Sequence, residues 1–347
     1  MELTTLIFLS SGLFLGWSLG ANDAANVFGT AVATKMVKFR TAAIICSIMV
    51  IIGAVVSGSG ASHTLGKLGS ISALGGAFTV TLSAALTVYW MTKASLPVST
   101  SQAIVGAIIG FNLFSNTETD PSVLTEIVST WILCPLLSAM VAVILYRMVN
   151  FVLRHAKLGL FQLDRYTRVG LIIAGGFGSY SLGANNIANV MGVFVPQSPF
   201  TSFDIFDYTF NSTAQLFMLG GIAIGVGVFT YSKKVMLTVG NGLLTLTPVL
   251  AWVVVMAHSI VLFLFSSVSI KLWLESNGLW SLPLVPVSSS QAVIGAVIGI
   301  GLYRKTRIQW RIVARIVSGW VATPIISTVL CVFALFVVKN VFQQQVV

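Results

Sequence analysis

Long apolar runs separated by short polar breaks pattern the whole chain. Apolar segments fall at about 3–34, 41–60, 75–92, 94–115 and 125–146. A second set falls at about 169–194, 213–231, 236–267, 282–302 and 316–338. Several of these runs reach the roughly 20 residues that a helix needs to cross a bilayer. Others are long or dotted with Gly and Pro, which predicts broken helices, hairpins or re-entrant segments. The pattern predicts an all-α polytopic membrane protein with about ten crossings.

Composition agrees with the pattern. The 347 residues are 56% hydrophobic and only 8% charged, with mean hydropathy +0.96. A soluble domain carries roughly a quarter charged residues. The net charge of +10 reflects loops and not nucleic-acid binding, because the basic residues sort by side. One side receives Lys35, Lys38, Arg40, Lys93, Arg147, Arg154, Lys157, Arg165, Arg168, Lys233, Lys234, Arg304, Lys305, Arg307, Arg311 and Arg315, which is 16 of the 19 Lys and Arg. The other side receives Lys67, Lys271 and Lys339 with Glu2, Glu118, Asp120, Glu126, Asp204, Asp207 and Glu275. The basic side is expected in the cytoplasm, which puts both termini outside and the chain in the cell (plasma) membrane. Cys46, Cys134 and Cys331 all lie in apolar runs and read as small hydrophobes. The first 20 residues lack a basic start and read as a retained first span.

The chain repeats itself. "GANDAANVFG" (20–29) and "GANNIANVMG" (183–192) share 7 of 10 residues, and "PVSTSQAIVGAIIG" (97–110) and "PVSSSQAVIGAVIG" (286–299) share 10 of 14. A weaker pair, "VSTWILCPLLS" (128–138) and "VSGWVATPIIS" (317–327), follows in the same order. This divides the chain into a first repeat at 1–146, a basic cytoplasmic linker at 147–168 and a second repeat at 169–347. Five crossings per unit force the second copy to insert upside down. Inverted repeats with matching interrupted segments mark an alternating-access transporter with its site between the repeats. Small residues that merely pack helices closely would explain Gly20, Gly29, Gly106 and Gly110. They would not explain amides, a carboxylate and hydroxyl runs at membrane depth.

Asp23 is the one acid inside a span, and Asn186 stands at its place in the second copy. A carboxylate there costs several kcal/mol unless it is paired or solvated. Asn22, Asp23 and Asn26, with Asn185, Asn186 and Asn189, offer oxygens that suit a hard cation such as Na⁺, helped by carbonyls freed where a helix unwinds. Asp23 could instead carry a proton, and Na⁺ is the favoured ion. The Pro-led segments predict loops feeding helix N-termini, where free N–H groups, hydroxyls and the helix dipole attract anions. Ser99, Thr100, Ser101 and Gln102 would face Ser288, Ser289, Ser290 and Gln291. Two opposed hydroxyl-lined N-termini suit a compact tetrahedral oxyanion. With no Lys or Arg in these segments, bound cations must compensate its charge, so each ligand raises the other's affinity.

At these motifs the sequence resembles the inorganic phosphate transporter (PiT) family. That family duplicates a G-x-N-D-x-x-N-x segment, here "GANDAANV" and "GANNIANV". It also duplicates a P-[VI]-S-T-[ST]-[HQ] segment, here "PVSTSQ" and "PVSSSQ". "KKVMLTVGNGLLTLTP" (233–248) looks like the family's stretch ahead of its second Ser-rich motif. The resemblance implies an inverted-repeat symporter that imports inorganic phosphate with Na⁺ or H⁺, a homodimer, and up to 12 segments counting hairpins. It puts Asn22, Asp23, Asn26, Asn185, Asn186 and Asn189 at cation and substrate positions. It puts Ser99 to Gln102 and Ser288 to Gln291, with Asn26 and Asn189, at the oxyanion. This chain departs at Asn186, where the family has a second Asp, and at Val50 and Thr81, where many relatives carry Glu. A less acidic site has fewer acceptors for the proton that phosphate carries and sulfate lacks, so a sulfate permease is the alternative.

Other residues carry less. His258 reads as a satisfied buried imidazole, and His63 as a loop residue at the outer mouth. Trp131, Trp252, Trp273, Trp280 and Trp320 read as interface anchors or packing. The basic stretch 147–168 can meet anionic membrane lipid, although topology alone explains it. An anion channel would need a continuous polar path. An enzyme would need a second acid, a metal cluster or an activated Ser. No ATP-binding G-x-x-x-x-G-K-[ST] loop is present. No enzyme activity and no cofactor are expected, only the transported or coupling ions.

Overall fold

The computed structural model describes residues 3–69, 71–94, 98–156, 158–205, 208–239 and 247–347. Glu2, Pro97, Lys157 and Asp207, and residues 240–246 of the 233–248 stretch, lie outside them. The described residues form thirteen α-helices. The first half holds α1 (Leu3–Ala33), α2 (Phe39–Ser57), α3 (Ser59–Leu68), α4 (Leu74–Lys93), α5 (Thr100–Ser115) and α6 (Pro121–His155). The second holds α7 (Leu160–Met191), α8 (Ser212–Thr230), α9 (Ser232–Val239), α10 (Pro248–Leu264), α11 (Val268–Ser276), α12 (Ser289–Tyr303) and α13 (Trp310–Asn340). A 3₁₀ turn at Gly192–Gln197 and a small hairpin of β1 (Phe203–Ile205) and β2 (Tyr208–Phe210) join α7 to α8.

The chain is an all-helical, multi-pass membrane protein. α1, α2, α4, α6, α8 and α13 are long and apolar enough to cross, and α10 with α11 gives a seventh candidate bent by 69°. α7 has the length, 32 residues, but its amide motif and polar first turns dilute its hydropathy. α5 and α12 are apolar but have only 16 and 15 residues. At 1.5 Å per residue they reach about 22–24 Å, short of the roughly 30 Å core. The stretches 94–115 and 282–302 therefore contain half-length helices that begin at Thr100 and Ser289.

Local chemistry sets the helix ends. Asp120 caps α6, its Oδ1 accepting from the Ser122 N–H at 2.8 Å, with Pro121 in the first turn. Hydrogen bonds from the Ser122 hydroxyl and backbone hold this exposed carboxyl below the usual carboxylate range. α6 then runs on to His155, because nothing between Arg147 and His155 breaks a helix. The basic linker is thus shared between the end of α6 and the start of α7.

The two halves exchange partners. α1 packs on α8 and α2 on α7, while α5 packs on α13 and α12 on α6. Small residues let the backbones touch. A Cβ at Gly20 would collide with the Ile224 carbonyl, and one at Gly183 with the Val50 carbonyl. Gly53 likewise meets the Tyr180 carbonyl and Gly227 the Trp17 carbonyl. Near the half-length helices, Ser327 Oγ donates to the Ala103 carbonyl at 2.7 Å and Ser138 Oγ to the Ala292 carbonyl at 2.6 Å. Every one of these contacts has its counterpart in the other half.

Candidate functional site

The hydroxyl motifs sit where two helices begin. Ser99 caps α5 and accepts from the Gln102 N–H at 3.3 Å, and Ser288 caps α12 and accepts from the Gln291 N–H at 3.4 Å. The two capping turns grip one another reciprocally. Ser101 Oγ donates to the Val287 carbonyl at 3.1 Å, and Ser290 Oγ to the Val98 carbonyl at 3.4 Å. Ser99, Thr100, Ser101, Gln102, Ser288, Ser289 and Gln291 are buried, and Ser290 is half-buried. The dipoles and free N–H groups of α5 and α12 converge here.

The amide motifs flank this point on α1 and α7. Both helices run unbroken past the asparagines, α7 ending at Met191 where a 3₁₀ turn takes over, so the expected unwinding, with its freed carbonyls, is absent at the amides. Asn26 Nδ2 donates to Ser289 Oγ at 3.0 Å, and Asn189 Nδ2 donates to Ser101 Oγ at 2.9 Å. Each amide motif therefore reaches the hydroxyl motif of the opposite half. Asn189 Nδ2 also donates to Asn186 Oδ1 at 3.0 Å.

Symmetry fails at two positions. Asn185 Oδ1 accepts from the Val287 N–H at 2.9 Å and its Nδ2 donates to the Val285 carbonyl at 3.3 Å. Its amide holds the chain entering α12. Its counterpart Asn22 is half-buried and donates to Asp23 Oδ1 at 2.9 Å. Asp23 is 3% exposed, and among the described residues no Lys or Arg pairs with it.

Several buried polar atoms at this point lack partners: Thr100 Oγ1, Gln102 Oε1, Gln291 Oε1, Asn189 Oδ1 and His258 Nδ1. Buried polar groups in folded proteins are almost always paired, so a cluster of unmatched ones points to an absent ligand. His258 departs from the expected satisfied imidazole. Its Nε2 lies 2.9 Å from Ser289 Oγ while Nδ1 has no partner. Because Ser289 Oγ already accepts from Asn26, an Nε2–H donated to it leaves the serine's own proton free for another acceptor.

Trp131 and Trp320 depart as well. Their indole Nε1 atoms are shut off from solvent without a partner, unlike the exposed Trp273 and Trp280. Each precedes by one turn the proline, Pro135 or Pro324, that packs on Gly295 of α12 or Gly106 of α5. Each proline also strips the carbonyl four residues back, that of the same tryptophan, of its helical donor. The repeated W-x-x-x-P spacing was the one signal in the sequence that could have raised them. Of the departures from the family pattern, Thr81 is bonded to Ser11 at 2.5 Å and to its own helix, and Val50 lies under Gly183. His63 is exposed on α3 and not on a loop.

Comparison with known proteins adds four findings. A family model described as the phosphate transporter family matches residues 19–163 and 154–331. The chain is 26% identical to a permease of Methanocaldococcus jannaschii provisionally named for phosphate, over 95% of this chain and 96% of that one. It is 22% identical to a Bacillus subtilis protein named as a probable low-affinity inorganic phosphate transporter, over 97% and 98% of the two chains. Among solved structures, one titled the sodium-dependent phosphate transporter superposes with TM-score 0.74 at 23% identity, covering 97% of this chain and 99% of that one.

Proposed function

The chain belongs to the phosphate transporter family, and on that premise we propose that it is a secondary active transporter importing inorganic phosphate with Na⁺ across the cell membrane. The halves 1–146 and 169–347 act as inverted repeats with both termini outside, and the anion binds between them. The observation that carries this reading is the cluster of unmatched buried polar atoms where α5 and α12 meet. The acceptors Gln102 Oε1, Gln291 Oε1 and Asn189 Oδ1 suit a hard cation, and a cation answers an anion held at the two N-termini. The hydroxyls and the helix starts supply donors to the anion. The exchange of helix partners leaves two mixed groups, α1 and α2 with α7 and α8, and α5 and α6 with α12 and α13, and movement of one group against the other around this point would give alternating access. The relatives' phosphate names and the sodium-dependent title of the structural neighbour point the same way.

Phosphate is favoured over sulfate because a protonated oxyanion needs an acceptor, and unpaired amide oxygens and His258 Nδ1 offer it. The reverse reading, sulfate, draws on the uncharged Val50 and Thr81. Uptake of labelled phosphate into proteoliposomes, with Na⁺ and pH gradients imposed separately, decides both. Saturable uptake driven by Na⁺ and unaffected by a tenfold excess of sulfate is expected. Uptake driven only by the pH gradient, or blocked by sulfate, would overturn the corresponding part.

The role given to His258 has its own test. His258→Ala removes a partner of Ser289 and is expected to raise the half-saturating phosphate concentration about tenfold, the worth of roughly one hydrogen bond. The maximal rate should fall less. An unchanged half-saturation would reduce His258 to packing.

A further inference from the structure

A cleft lies beside α1, at the start of the amide motif. It is lined by Trp17, Ser18 and Ala21 of α1, Tyr89, Thr92 and Lys93 of α4, and Tyr231 just after α8. Trp17 is fixed by its Nε1, which donates to Thr230 Oγ1 at 2.9 Å, and its ring lies 5.9 Å from that of Tyr231. The Lys93 ammonium stands 5.5 Å from the ring centres of both Tyr89 and Tyr231. Those ring faces hold the cation at the cleft mouth.

The hydroxyls of the cleft are the unusual feature. Along α4, Thr79, Thr81, Ser83 and Thr87 each donate to the carbonyl four residues back, at 2.7 to 2.8 Å. Thr92 Oγ1, on the same helix, is buried and has no partner. Ser18 Oγ is also buried without a partner, on a residue 4% exposed. A buried hydroxyl that ignores its own helix carbonyl forfeits about 1–3 kcal/mol unless something else fills the place. Two such hydroxyls and an ammonium make a set of donors, and no acidic side chain lines the cleft. Its ligand is therefore an anion with several oxygens.

We propose that this cleft binds the oxyanion of a phosphate group, as a second site next to the central one. The inference rests on the transport reading above. Ser18 and Asn22 are four residues apart and share one face of α1, and Asn22 donates to Asp23. The cleft thus adjoins the Asn22–Asp23 pair along that face. Lys93 belongs to the basic set expected in the cytoplasm, so the site lies on the substrate's inner path. Lys93 is exposed and Tyr231 half-buried, so the ammonium can swing from the rings toward the cleft, which has to widen to admit a phosphate group. Free phosphate leaving the central site and the headgroup of an anionic lipid present the same chemistry.

The test uses the full chain in sealed vesicles of uniform orientation. It reads the half-saturating phosphate concentration for phosphate–phosphate exchange at each face separately. Lys93→Gln and the pair Ser18→Ala/Thr92→Val should each raise the value about tenfold on the Lys93 face only. Lys93→Arg should stay near wild type. If the shift persists in vesicles of phosphatidylcholine alone, the ligand is free phosphate. If it needs phosphatidylglycerol, the ligand is a lipid headgroup, and either result upholds the site. Unchanged values in both lipids, or equal shifts at both faces, would overturn it. A wild-type protein that exchanges no phosphate overturns the transport reading and this one with it. Normal wild-type exchange with unaffected variants overturns this one alone.

Discussion

Asp23→Asn is expected to abolish Na⁺-driven phosphate uptake while leaving a protein that folds as well as the wild type. Asp23 is 3% exposed and Asn22 is its one hydrogen-bond partner among the described residues. A carboxyl so placed must take up a proton or be answered by a cation, because isolated buried charge is expensive, and Na⁺ is the cation proposed. Leaving a buried charge pair without one member costs about 3–5 kcal/mol, a factor above roughly 100 in affinity. The loss should therefore appear in cation affinity before anything else. The second half shows why the fold survives. Asn186 stands at the equivalent place on α7, buried, with its Nδ2 donating to the Leu182 carbonyl at 3.3 Å. Replacing a carboxylate that lacks a counter-ion by an amide should leave the melting temperature in Na⁺-free detergent equal to or above that of wild type. Uptake that still follows the Na⁺ gradient in this variant would remove Asp23 from the coupling site.

How much of this was legible in the sequence depends on the length scale of each signal. The apolar runs announced the long helices, since burial in lipid requires continuous apolar sequence whatever the tertiary contacts. Pro286 followed by hydroxyls announced a helix start, and α12 begins at Ser289, because capping is a contact between neighbours in sequence. α5 begins at the matching Thr100. Unwinding at the amide motifs is the expectation, yet α1 and α7 stay helical past every Asn of the motifs, α7 giving way to a 3₁₀ turn only at Gly192. Asn residues inside a helix keep the backbone bonded when their side chains find partners across the interface, as Asn26 and Asn189 do. Asn185 looked like its neighbours and proved to clamp the backbone at 285–287. Nothing in spacing tells an amide that faces a ligand from one that faces a loop. His258 reads in the sequence as a satisfied imidazole, and Trp131 and Trp320 as anchors or packing, because what sets them apart is an unfilled hydrogen bond. Only the three-dimensional neighbourhood discloses that.

Gly20→Ala is expected to be the most damaging change of one methyl group in the protein, at the crossing of α1 and α8. The added Cβ would meet the Ile224 carbonyl carbon at 2.8 Å and its Cα at 3.1 Å, with the oxygen nearer still. All three are backbone atoms, so no side chain can rotate away and the helices must separate. Overpacking of a tight core costs about 1–3 kcal/mol where side chains can adjust. A clash with backbone belongs at or above the top of that range. Gly183→Ala, against the Val50 carbonyl at the crossing of α7 and α2, should cost about as much. Gly66→Ala is the control, since a Cβ there meets nothing within 4 Å. Melting of purified protein in detergent should fall well below wild type for the first two variants and stay unchanged for the third. Equal melting of Gly20→Ala and Gly66→Ala would mean that the crossing is looser than drawn. The consequence for function follows from what the crossings carry. Gly20 and Gly183 open the amide motifs that hold Asp23 and Asn186, and each motif reaches a hydroxyl of the other half. A helix displaced at Gly20 draws Asn26 away from Ser289, now 3.0 Å apart. Any Gly20→Ala protein that does fold should therefore lose phosphate affinity as well as stability, whereas a lesion confined to the lipid-facing surface would lose neither.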